Sequence, residues 1–155
     1  MKAGLSILFL LLFSSASFAQ KSKISVKKDI VYADGKPQFK LVASAIPDAI
    51  TLYNLEDEKL AVFNAHYYND SKQITPGNPQ GRIGYYEITF LNGNMDQCEI
   101  RMVGYKKVLA EILIGEGLIE EGKLVDKSIK QFCTIQGKKF SEDRKHSGQT
   151  IIIQK

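Results

Sequence analysis

The side chains able to do chemistry near neutral pH are few and scattered. His66 and His146 are the two histidines, and histidine alone has an ordinary pKa near neutrality. A metal site needs further His, Cys, Asp or Glu at ligand spacing, and an acyl-transfer triad needs a nucleophile presented on an elbow or loop. Neither His-Glu-x-x-His nor Gly-x-Ser-x-Gly occurs in the chain. No catalytic residue, metal ligand set or cofactor is therefore assigned. Gly115, Gly117 and Gly122 follow a helical stretch, whereas a pyrophosphate cradle lies between strand and helix; they fit a helix stop and a turn instead. Asn92, Asn94, Asp96 and Glu99 present closely spaced oxygens, but a calcium loop joins two helices and these residues belong to a strand turn. Asn69-Asp70-Ser71 fits a glycosylation acceptor, which matters only in a eukaryotic secretory route.

Binding chemistry is better represented. The stretch 66–82 spans 17 residues between two strands and carries Pro76, Pro79, Gly77 and Gly81 in its interior. That length is unusual for a structureless connection and marks either a functional loop or a mobile insertion without a role. His66, Tyr67, Tyr68, Asp70 and Arg82 are its candidate contact residues, being side chains of the kind found at interfaces. His66, Asp70 and Arg82 are also the residues from which a small periplasmic hydrolase would have to assemble a site. A protein inhibitor would instead present the acidic tip Glu56-Asp57-Glu58, whose alternative role is a solvated turn. Strand alternation turns one member of Tyr67-Tyr68 and one of Tyr85-Tyr86 inward, leaving at most half for a ligand. Cys98 and Cys133 both fall on apolar stripes; they are expected either to form a disulfide or to remain two buried thiols.

The elements that must position these residues follow from periodicity. From Ile24 to Met102 short runs rich in Val, Ile, Tyr, Phe and Thr are separated by turn residues, the pattern of an antiparallel meander of about six strands. Asp34-Gly35 joins 30–33 to 38–43, with Pro37 confining that second run to an edge or a strand start. Residues 55–58 join 50–54 to 59–65, and Asn92-Gly93-Asn94 joins 85–91 to 97–102, supplying the positive φ of a tight turn. After Gly104 the period becomes helical. Val108, Leu109, Ile112 and Leu113 form one stripe, and Ile129, Phe132 and Cys133 another, with Asp126 placed to cap the second helix and Gly137 to end it. Two striped helices after a sheet imply an α+β layer. The run 150–153 is either a last strand or a frayed end.

Lys2, the apolar run 5–13 and the small residues before Ala19 are the charge, core and cleavage signals of a signal peptide over residues 1–19. The run breaks at Ser14-Ser15, too short to span a bilayer, and Gln20 rather than a cysteine follows the cut. Residues 20–155 are thus expected as one exported globular domain, periplasmic or secreted, with no transmembrane segment. Its net charge of +3 after loss of Lys2 is spread along the chain, which argues against nucleic acid as a partner.

Taken together, Val31-Tyr32-Ala33-Asp34-Gly35-Lys36-Pro37, Ile50-Thr51-Leu52-Tyr53-Asn54-Leu55, Tyr86-Glu87-Ile88-Thr89-Phe90 and the helical end with Lys123-Leu124, Phe132 and Gly137 resemble a broad group of small exported proteins of Bacteroidota of unknown function. The likeness spans 24–141. It implies an exported location and an α+β fold and supplies no catalytic residues. The expectation is a non-enzymatic binding module of the cell envelope, meeting an envelope protein or a small ligand.

Overall fold

A computed structural model describes residues 22–44 and 48–147. The expected signal peptide and the run 150–153 lie outside the described residues. The rest is α+β. Seven strands, β1 (Ile24–Lys27), β2 (Ile30–Ala33), β3 (Lys36–Ser44), β4 (Ala49–Tyr53), β5 (Lys59–Asn69), β6 (Arg82–Phe90) and β7 (Gln97–Arg101), pair antiparallel in sequence order. Helix α1 (Lys106–Gly115), the small hairpin β8 (Ile119–Glu120) and β9 (Lys123–Leu124), and helices α2 (Asp126–Gln136) and α3 (Lys139–His146) follow.

The meander has one strand more than its sequence pattern suggests. The extra turn, Lys28-Asp29, contains no glycine, yet both residues adopt positive φ, +47° and +69°, as a tight hairpin requires. Asp34-Gly35 does the same at +50° and +79° where it was expected. Pro37 sits at the start of β3, beside a register shift between Val31 and Tyr32, as its missing N–H demands. The turn after β6 differs in detail: Met95, not Gly93 or Asn94, takes the positive φ of +52°. Asn92 stabilises it by accepting from the Asp96 N–H and donating to Asp96 Oδ2. These contacts, and a further one to Asp126, occupy the Asn92 side chain.

Alternation gives the sheet two unlike faces. Val31, Phe39, Leu41, Leu52, Phe63, Ile88, Phe90 and Cys98 point to one face and pack with Leu109, Leu113, Leu118, Ile129 and Phe132. Each fully buried side chain of this size contributes about 1.5–3 kcal/mol. As expected, α1 and α2 carry apolar stripes, though Ala110 rather than Val108 is buried in the first. Asp126 lies in the first turn of α2 rather than at the N-cap, which is Val125.

The chain then crosses the edge of the sheet. Gly137, at φ +62°, ends α2 and its carbonyl accepts from the Glu99 N–H of β7, which leaves that edge less open to pairing with another chain. Beyond it α3 packs against β7 with Phe140 on a second cluster of Tyr68, Ile83 and Tyr85. Helix α3 has no buried residue and no apolar stripe, so periodicity gives no sign of it. Among the described residues no helix is long and apolar enough to cross a membrane.

Candidate functional site

The segment 66–82 is not one long loop. β5 continues through His66, Tyr67 and Tyr68 to Asn69, and these residues pair with Tyr85, Gly84, Ile83 and Arg82 respectively. The connection shrinks to residues 70–81. β5 runs five residues past its last pair with β4, Ala49↔Asn64, and β6 begins three residues before its first pair with β7, Tyr85↔Arg101. The β5–β6 hairpin thus projects beyond its neighbours as an arm.

The tip of the arm is built from its own hydrogen bonds. Asp70 accepts from the Lys72 N–H and caps the 3₁₀ turn Ser71–Gln73. Thr75 and Asn78 bridge across Pro76-Gly77 through two main-chain bonds of 3.2 and 2.9 Å. The Asn78 side chain then acts as a short pseudo-strand: its Oδ1 accepts from Arg82 N at 2.9 Å while its Nδ2 donates to Arg82 O at 3.1 Å. Gly81, at φ +61°, is required where it stands, because a Cβ there would lie 2.1 Å from the Asp70 carbonyl oxygen.

Alternation along the arm separates the five expected contact residues onto two faces. On one, the Arg82 guanidinium lies 4.1 Å above the Tyr67 ring centroid. The Tyr67 hydroxyl donates to Asp48 Oδ2 at 3.1 Å. Burial, that bond and the Asp48 charge raise the Tyr67 pKa, with Arg82 opposing them. A groove of about 440 Å³ opens here, lined by Tyr67, Asn78, Arg82, Gly84, Arg101 and Met102. Gly84 lets Tyr67 and Met102 close over its backbone, since a Cβ at that position would come within 3.1 Å of both Met102 Sδ and Tyr67 Cε1.

On the opposite face Tyr85 is fully buried between rings, with His66 stacked at 5.3 Å, Phe140 stacked at 5.4 Å and Tyr68 edge-on at 6.1 Å. Burial raises the Tyr85 pKa, partly offset by Arg144, and its hydroxyl has no hydrogen-bond partner among the described residues. His66 Nε2 lies 3.5 Å from Glu87 Oε2, and Glu87 stands directly opposite the buried Glu99. Asp70 and Lys72 face Asp143 and His146 of α3 across a cleft of about 580 Å³. His146 there is tied at 2.8 Å to the Glu142 carbonyl.

His66, Asp70 and Arg82 therefore do not converge. Arg82 lines the groove, Asp70 the cleft, and His66 neither. Tyr68, Tyr85 and Tyr86 are all buried, so of these four tyrosines Tyr67 alone is exposed; α3 covers the second face, which alternation does not foresee. The acidic tip is also engaged: Asp57 pairs with Lys40 at 2.7 Å and Glu58 accepts from Asn54 Nδ2 at 3.0 Å. No group of three or more His, Cys, Asp or Glu able to hold a metal exists among the described residues. Gly84 and Met102 have no signal in sequence, because they come beside Tyr67 only through strand register. No family model, curated protein or solved structure matches the chain.

Proposed function

We propose that the chain is an exported, non-enzymatic binding module of the cell envelope and that the β5–β6 arm is its contact surface. The observation that carries this is the Tyr67–Arg82 stack, an exposed pair of the two residue types richest in interface energy, held on a projecting and internally bonded arm. A rigid presentation lowers the entropy lost when a partner is engaged. The cell envelope is the compartment implied by the leader read at 1–19, and the arm runs past the neighbouring strands β4 and β7.

Replacing Tyr67 and Arg82 together by serine tests the assignment. Both side chains are on the surface of the arm, so the variant is expected to keep the parent's cooperative thermal melt while losing its partners from a native envelope fraction. A variant that melts as the parent does and still captures the same partners would contradict the arm as contact surface.

A further inference from the structure

The turn between β6 and β7 holds the chain's one Asn-Gly pair, Asn92-Gly93. The fold does not need that glycine. Its φ lies outside the left-handed region, the positive φ of the turn falls on Met95, and no heavy atom beyond its chain neighbours lies within 4 Å of where a Cβ at position 93 would stand. What the missing side chain changes is chemistry, because a glycine nitrogen approaches the preceding side-chain amide unhindered. Gly93 and Asn94 are exposed, so water reaches the turn. Asn92 in turn joins the sheet to α2. Its Nδ2 lies 2.8 Å from Asp96 Oδ2 and 3.0 Å from Asp126 Oδ1 in the first turn of α2, and its Oδ1 accepts from Asp96 N at 3.1 Å. One amide nitrogen therefore stands between two carboxylates as their shared donor.

We infer that Asn92-Gly93 is a self-modification site, at which Asn92 loses its amide nitrogen and the tie between the β6–β7 turn and α2 becomes a repulsion. The Gly93 nitrogen gives its proton to solvent and bonds Asn92 Cγ, the Cγ–Nδ2 bond breaks, and ammonia leaves. Water then opens the cyclic imide, at the side-chain carbonyl to give aspartate or at the main-chain carbonyl to give isoaspartate. Asparagine is thermolabile for this reason. The three bonds on the Asn92 side chain must be released first, so the reaction proceeds from the locally opened turn. In the aspartate product a carboxylate takes the place of the shared donor and faces Asp96 and Asp126, and like charges at that distance repel. Isoaspartate adds a carbon to the main chain of the turn as well.

The test ages the mature protein at physiological temperature and pH and maps it by peptide mass after digestion in mild acid, which keeps further conversion slow. Asn92 is expected to gain the mass of an NH2-to-OH exchange ahead of Asn94, which Met95 follows. Gly93→Ala is expected to melt as the parent does, since its Cβ meets open space, and to slow the conversion about tenfold by crowding the attacking nitrogen. Asn92→Asp stands in for one product. That variant is expected to melt below the parent and to exchange the Ile129 amide, which donates to Val125 O at the start of α2, about tenfold faster. Conversion at Asn92 no faster than at Asn94, equal rates with and without Gly93→Ala, or an Asn92→Asp variant with the parent's melt and Ile129 exchange would overturn the inference.

Discussion

Mature protein recovered from an oxidising compartment is expected to carry a Cys98–Cys133 disulfide, and protein folded in reductant is expected to resist forming it afterwards. The two thiols neighbour each other across β7 and α2, and both are free in the structure. Burial pushes both thiols up, Cys98 strongly, and Cys98 is held further in its protonated form by donating to Cys133. Exchange needs a thiolate, so the native dithiol is a poor nucleophile and the bridge must form before α2 docks. Closing a loop of over thirty residues is worth about 2–4 kcal/mol. Urea denaturation with and without reductant measures that difference. Mass analysis after alkylation of denatured, unreduced exported protein checks the state, and two alkylated cysteines would refute the bridge. Reduced native protein given oxidised glutathione should stay reduced until it is denatured.

Glu99→Ala should release α3 from the sheet at a cost of about 2–3 kcal/mol, the loss expected for a buried charge-assisted hydrogen bond. Glu99 is 2% exposed, and its Oε2 accepts from Ser141 N at 2.9 Å. Helix α3 has little else to hold it, with no buried residue of its own and one ring, Phe140, stacked on Tyr85. Glu87 stands opposite Glu99, and its Oε2 lies 3.5 Å from His66 Nε2. The expected signature is faster hydrogen exchange at the Ser141 amide, together with a fall of the Tyr85 ionisation toward its ordinary range, because the cover that raises it is gone. Glu99→Gln keeps an acceptor and should lose less. A loss under about 0.5 kcal/mol with unchanged Ser141 exchange would show that α3 is held by other contacts.

The sheet was readable where local chemistry and tertiary structure agree. Asp34-Gly35 announces its turn because glycine tolerates positive φ, and the stripes of α1 and α2 announce a face because their apolar residues recur at helical spacing. Lys28-Asp29 adopts the same turn without that residue type, so β1 merges with β2 in the sequence pattern. Helix α3 lacks a stripe because a single phenylalanine and a main-chain N–H dock it, and neither leaves a period. The arm hides its strand for a related reason. His66-Tyr67-Tyr68-Asn69 is too polar to show alternation, and its strand character comes from pairing with residues 82–85. Tyr67 and Arg82 are legible as interface types, whereas their stacking, and the packing of Tyr67 and Met102 over Gly84, require the register of neighbouring strands.

Placing a photo-activatable phenylalanine analogue at position 67, and for comparison at Glu56 on the acidic tip of a different hairpin, tests the contact surface most directly. Irradiated in the native envelope, the protein is expected to yield a discrete higher-mass adduct from position 67 and none from position 56. Adducts from position 56 with none from position 67, in protein that melts as the parent does, would contradict the arm as the binding surface.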